Sequence, residues 1–231
     1  MMSNRPVPPQ SPCSRTRFSR LPHSSFARLS PEEIATHFRI RTYGFFQLPD
    51  AIRPSYDLQI IPQEGFRHEK MASGNQPVWI LSVSAHRLMD VFEELLIPLG
   101  EEVHVILEST HRQKRFKKPR EFHRDEIDMP VLRSLLWDFE TFLIGDGCTG
   151  ISVLNEANHQ EIRLDEHKIL YLYTHSLEPF LPTLKKYRVP HNPQLRILPE
   201  GEHVHISRLA YEEEFHRLKN LLAMDETWIN D

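Results

Sequence analysis

The chain is short of the residues and runs that define whole classes of protein. Two cysteines in 231 residues, Cys13 and Cys148, exclude a disulfide scaffold on count and fit a reducing, intracellular compartment. No apolar run approaches the ~18 residues that span a bilayer, and the longest, Ile169 to Tyr173, has the length of a buried strand. No membrane association is expected, and a cytoplasmic location is. Acidic residues are missing from residues 1–30, which carry five arginines (Arg5, Arg15, Arg17, Arg20 and Arg28). Large apolar side chains are sparse there while proline and serine abound, so this stretch cannot bury enough surface to offset the entropy of ordering. It is read as a disordered basic tail, with a start-site extension or an organelle-targeting leader as alternatives. The prolines count against the amphipathic helix such a leader uses.

Local catalytic signatures are missing as well. There is no Walker motif, dinucleotide-binding fingerprint, Ser-His-Asp order or paired zinc knuckle. Residues 31–231 carry a net charge of −9 against −4 for the whole chain, so bulk charge gives no hold on nucleic acid.

The residues that are present describe a single globular α/β domain over 31–231. Ser30-Pro31-Glu32-Glu33 has the N-cap, first-turn proline and acids that start a helix, running to about Arg41. Residues 44–77 hold four prolines and are read as an irregular covering segment with a short regular piece at Tyr56 to Ile61. Val78 to Val83 is β-rich. Leu88, Val91, Phe92, Leu95 and Leu96 then fall on one helical face, and Gly100 ends that helix. Val103, Val105 and Leu107 alternate as in a strand, so strand, helix and strand make a βαβ unit. A basic loop over His111 to Arg124 precedes a long helix from Asp128 to Ile144. Strands follow at Ile151 to Leu154 and over Glu161 to Tyr173, joined by a hairpin turn. A helix capped by Ser176 carries Leu177 to Tyr187. Short strands near Leu195 to Leu198 and His203 to Ile206 precede a last helix built on Tyr211, Phe215, Leu218 and Leu222. The expected fold is α/β or α+β, a mixed β-sheet of about five or six strands flanked by helices.

Four groups of residues bear on chemistry. Three of the eight glycines stand in the run Gly145-Asp146-Gly147-Cys148-Thr149-Gly150, between the long helix and a strand. They are read as a structural corner using the positive φ that glycine supplies. The run passes from helix to strand, the reverse of a phosphate-binding loop. The helix C-terminus beside Cys148 disfavours a thiolate.

Glu202-His203-Val204-His205 places two imidazoles on one face of a strand, where they could share a divalent metal. Asp165, Glu166, His167 and Glu212 are the candidates for the further ligand that pair needs. The plainer reading is two half-exposed histidines on an edge strand. Asp165-Glu166-His167-Lys168 is in turn a charged cluster in which a carboxylate orients His167 as a base, or simply a polar kink with its charges in water. Lys114, Arg115, Lys117 and Lys118, interleaved with Phe116, form a polyanion-binding candidate that the acids Asp125, Glu126 and Asp128 partly neutralise.

The leading functional expectation is a non-catalytic binding or interaction domain with a protein partner, resting mainly on the missing motifs. A metal-dependent hydrolase using His203 and His205 is the alternative. A polyanion or nucleic-acid binder acting through residues 112–120 comes third.

Overall fold

The computed structural model describes residues 24–69, 77–111 and 119–226. Helix α1 (Pro31–Phe38) begins with a reciprocal capping box, in which the Ser30 side chain accepts from the Glu33 amide and the Glu33 carboxylate from the Ser30 amide. Ahead of it, in the stretch assigned by composition to the tail, Phe26 is buried beside His37 and Phe38. Two-residue strands β1 (Thr42–Tyr43) and β2 (Phe46–Gln47) pair as a small hairpin, followed by β3 (Ile52–Pro54). Tyr56 to Ile61 forms no strand. The segment expected to be irregular instead supplies β4 (Gly65–Glu69), which pairs with β5 (Val78–Ser82).

After β5, α2 (Leu88–Leu96) buries Leu88, Val91, Phe92, Leu95 and Leu96, the stripe that periodicity picks out. Then come β6 (Glu102–Ser109) and β7 (Arg120–Asp128). The latter replaces the second half of the expected basic loop. Phe122 and Ile127 turn into the core while Asp125 and Glu126 between them are exposed, so charge count masked a strand. The expected long helix is two, α3 (Met129–Asp138) and α4 (Glu140–Gly145), parted at Phe139, whose φ of −107° and ψ of 10° leave the helical basin. β8 (Thr149–Asn155), β9 (Gln160–Leu164) and β10 (Leu170–Tyr173) form a meander. α5 (Leu181–Lys186), β11 (His203–His205), α6 (Leu209–Leu221) and β12 (Asp225–Glu226) complete the order. Residues 195–197 are not a strand.

The fold is an α/β arrangement whose main sheet has eight strands in the order β12-β7-β6-β8-β9-β10-β5-β4. Every neighbouring pair is antiparallel. The strand–helix–strand unit is present, since β5 and β6 run in the same direction. They are not neighbours, because the meander β8-β9-β10 fills the space between them. One face of the sheet packs Val103, Val105, Leu107, Ile151, Val153, Ile162, Leu164, Leu170 and Leu172 against the helices in one core. On the other face, Val78, Ile80 and Ile169 are covered by Leu195 and Ile197.

A separate two-stranded ribbon joins β11 to β3, pairing His203 with Pro54, Val204 with Arg53 and His205 with Ile52. Arg53 is buried and donates to the carbonyls of Phe38, Pro49 and Ile52, anchoring this ribbon from inside. No helix among the described residues is long and apolar enough to cross a membrane.

Candidate metal centre

The turn between β9 and β10 is Asp165-Glu166-His167-Lys168. The Asp165 carboxylate builds it, with Oδ1 accepting from the amides of His167 (3.0 Å) and Ile169 (2.9 Å). The turn closes on Lys168, whose φ of 63° lies in the left-handed region. The charges expected in water are not there: Asp165 and Lys168 are both buried. Lys168 Nζ donates to the Thr149 carbonyl at 2.7 Å, and Asp146, Asp165 and Glu166 set their negative charge against the burial that lowers its pKa.

This turn meets β11. The ring of His167 lies with its centroid 4.9 Å from that of His203 and 4.6 Å from that of His205. One nitrogen from each ring falls within 4.8 Å of the other two. Each Nδ1 is already engaged. His167 Nδ1 bonds Asp165 Oδ2 at 2.8 Å, His203 Nδ1 the Gly201 carbonyl at 2.8 Å, and His205 Nδ1 the Gly147 carbonyl at 2.7 Å. All three partners accept only, so each Nδ1 carries the proton, and a neutral ring then keeps its lone pair on Nε2. Burial, the largest effect, lowers the pKa of both His203 and His205 to about 4, so these two are neutral at ordinary pH. For Asp165, burial works to raise the pKa, yet the hydrogen bond from His167 and the Ile169 amide hold it below the usual carboxylate range.

The ionised Asp165 behind His167 and the two carbonyls behind its partners are groups of the kind that orient histidine ligands and raise their basicity in metal sites. A zinc ion with Zn–N of about 2.0–2.1 Å sets tetrahedral nitrogens about 3.3 Å apart, so closing on an ion from spacings of 4.8 Å or less requires shifts of no more than about 1 Å. Glu166, next in the chain, is half-buried and makes no hydrogen bond or ion pair among the described residues. Burial raises its pKa, with His167 opposing and Asp165 assisting.

The glycine corner supports this arrangement from below. None of Gly145, Gly147 and Gly150 has positive φ, contrary to the expectation for a tight corner. The requirement is steric. A Cβ on Gly147 would stand 2.3 Å from the Ala51 carbonyl oxygen and 2.8 Å from that of Ile206, both backbone atoms. Gly147 N in turn donates to the Ile206 carbonyl at 2.8 Å, and Ile206 N to Ala51 at 2.7 Å. The corner is therefore stitched to the β3–β11 ribbon, and its carbonyl at Gly147 orients His205.

Around it lie buried polar groups. Asp146 Oδ2 accepts from Thr149 Oγ1 at 2.5 Å and lies 3.1 Å from His111 Nε2. Burial works to raise the Asp146 pKa, but the bond from His111 and the charge of Lys168 hold it down. The Cys148 thiol is pushed up to about 12, first by burial and then by Asp146. That agrees with the sequence argument against a nucleophilic thiolate.

Of the proposed ligands, His203, His205 and His167 converge, whereas Glu166, next to His167 in the chain, is not among the clustered donors. Asp165 stands behind His167, and Glu212 on α6 is outside the cluster. Gly145 meets the Tyr211 hydroxyl, and Gly150 meets Glu108. Lys114, Arg115, Lys117 and Lys118 lie outside the described residues. Sequence reasoning did not single out His111, whose only local signal is its place just past a strand end.

No protein-family model matches the chain, and neither a curated protein nor a solved structure is similar to it.

Proposed function

We propose that His167, His203 and His205 bind one divalent transition metal, zinc fitting the ligand set best, and that the chain is a metal-dependent hydrolase. The carrying observation is that one nitrogen from each of three rings lies within 4.8 Å of the other two while every Nδ1 is engaged by an acceptor behind it. Three imidazole ligands with an open fourth position suit a metal that activates water and polarises a carbonyl or phosphoryl oxygen. In this reading Glu166 accepts the proton of the attacking water. Its support is its place beside His167 and its lack of any structural bond of its own. The non-catalytic binding role expected first rested on missing motifs. A centre assembled from a turn and a strand thirty-odd residues apart is what a search for local motifs passes over.

The test is the metal content of untagged protein purified without chelator, followed by hydrolysis of a panel of activated carboxylic and phosphoric esters. Wild type should carry tightly bound metal that His203→Ala/His205→Ala loses. Glu166→Gln should keep the metal and lower kcat by about 10²–10⁴. A wild type that takes up no zinc, manganese or iron even on reconstitution would sink the reading.

A further inference from the structure

A second set of donors lies on the far side of Gly147. One ligand atom each from His111, Asp146 and Cys148 falls within 4.8 Å of the others. His111 and Asp146 are buried, the latter completely. His111 Nδ1 is bonded to Ser109 Oγ at 3.0 Å, which again turns Nε2 toward the cluster. His111 Nε2 faces Asp146 Oδ2 at 3.1 Å, while Asp146 Oδ1 has no hydrogen-bond partner although it is shut off from solvent. An unpartnered buried carboxylate oxygen is costly, and in a native fold it calls for an ion or a bound water.

We infer that His111, Asp146 and Cys148 form a second metal site, structural in role and suited to zinc. A mixed nitrogen, oxygen and sulfur set favours zinc over calcium or magnesium, which take oxygen ligands. The metal displaces the Cys148 proton to solvent and forms a metal–sulfur bond, while Asp146 turns its free Oδ1 to the ion. A dication, one carboxylate and one thiolate are neutral together, which leaves the Lys168 ammonium to face Asp165. Ser207, buried close to Asp146 and Cys148, is the nearby hydroxyl that could supply a fourth oxygen ligand or hold a water. The site ties the end of β6 to the glycine corner. It thereby fixes the Gly147 carbonyl that orients His205, so this inference adds a support beneath the three-histidine centre without depending on that centre's chemistry.

Cobalt(II) distinguishes the two sites, because only a cysteine ligand gives a thiolate-to-cobalt charge-transfer band in the near ultraviolet. Metal-free full-length protein titrated with cobalt(II) should take up two equivalents, one of them developing that band. Cys148→Ser should lose the band and one equivalent, keeping the visible absorption of a histidine-bound ion. His203→Ala/His205→Ala should do the reverse. Should Cys148→Ser fail to fold, X-ray absorption at the zinc edge of the wild type gives the same answer through a sulfur neighbour. One equivalent with no charge-transfer band or sulfur neighbour overturns the second site and leaves the three-histidine reading standing. Uptake with the band but unaffected by the double histidine change supports the second site and removes the first.

Discussion

At the scale of single residues, the site depends on histidines kept neutral by burial. His203 and His205 have their pKa lowered to about 4 from the ordinary 6.5, burial being the first cause for both. Between these values the unfolded chain holds protons that the folded one refuses. The stability from these two groups is therefore whole above the unfolded pKa of 6.5 and is lost as the pH falls toward 4. Thermal unfolding of metal-free protein should accordingly show a melting temperature that drops across this window. In His203→Gln/His205→Gln, where nothing titrates at those positions, the drop should be visibly shallower. Parallel profiles for the two proteins would mean the rings are not held neutral. The charge pattern could not announce this, since Asp165 and Lys168 read as solvated charges until the turn that buries them is seen. The i, i+2 spacing of His203 and His205 was legible, because a strand puts both on one face.

At the scale of elements, the corner Gly145 to Gly150 links what sequence keeps separate. Its place between helix and strand was plain from the glycine run, but the reason for the glycine was not. Close approach of the β3–β11 ribbon, rather than positive φ, excludes a side chain at Gly147. Gly147→Ala should thus push the ribbon away and loosen the carbonyl beneath His205. The expected cost is about 1–3 kcal/mol of stability, as for overpacking elsewhere, together with a fall in zinc affinity of about 10–100-fold, the range for lost outer partners of a metal ligand. Gly150→Ala is the control, because its tightest neighbour is the Glu108 side-chain tip at 3.0 Å, which can move. Chemical denaturation and competition with a chromophoric chelator measure the two effects. Equal behaviour of both variants would separate the corner from the site. The two missed strands share one cause. β4 is only five residues long and ends in Arg67, His68 and Glu69, and β7 is rich in charge, so composition outweighed period in both.

At the scale of the whole molecule, the class of fold was visible while the topology was not. Strand β5, helix α2 and strand β6 were each legible from local period, and their shared direction followed. Their separation did not, because neighbour choice is decided by the meander β8-β9-β10, which arrives later in the chain and occupies the gap. That late insertion also assembles the candidate metal centre. It delivers the Asp165–Lys168 turn to the ribbon of β3 and β11, a unit that shares no strand with the main sheet. A metal held by His167 on one side and by His203 and His205 on the other is a cross-link between the two. Since it binds the folded chain, saturating zinc at about 100 times its dissociation constant should add about 2.7 kcal/mol, a rise in melting temperature of roughly 5–10 °C for a chain of this size. Chelator should reverse it, and backbone amides of β11 should lose protection from hydrogen exchange before those of β6 and β8. The His203→Ala/His205→Ala protein should lose the part of this response that the three-histidine centre supplies, including the β11 protection. If zinc protected β6 and β11 alike and the double variant responded as wild type, the metal would be bound elsewhere, and the ribbon would be held by its Gly147 hydrogen bonds and ring contacts without a metal cross-link.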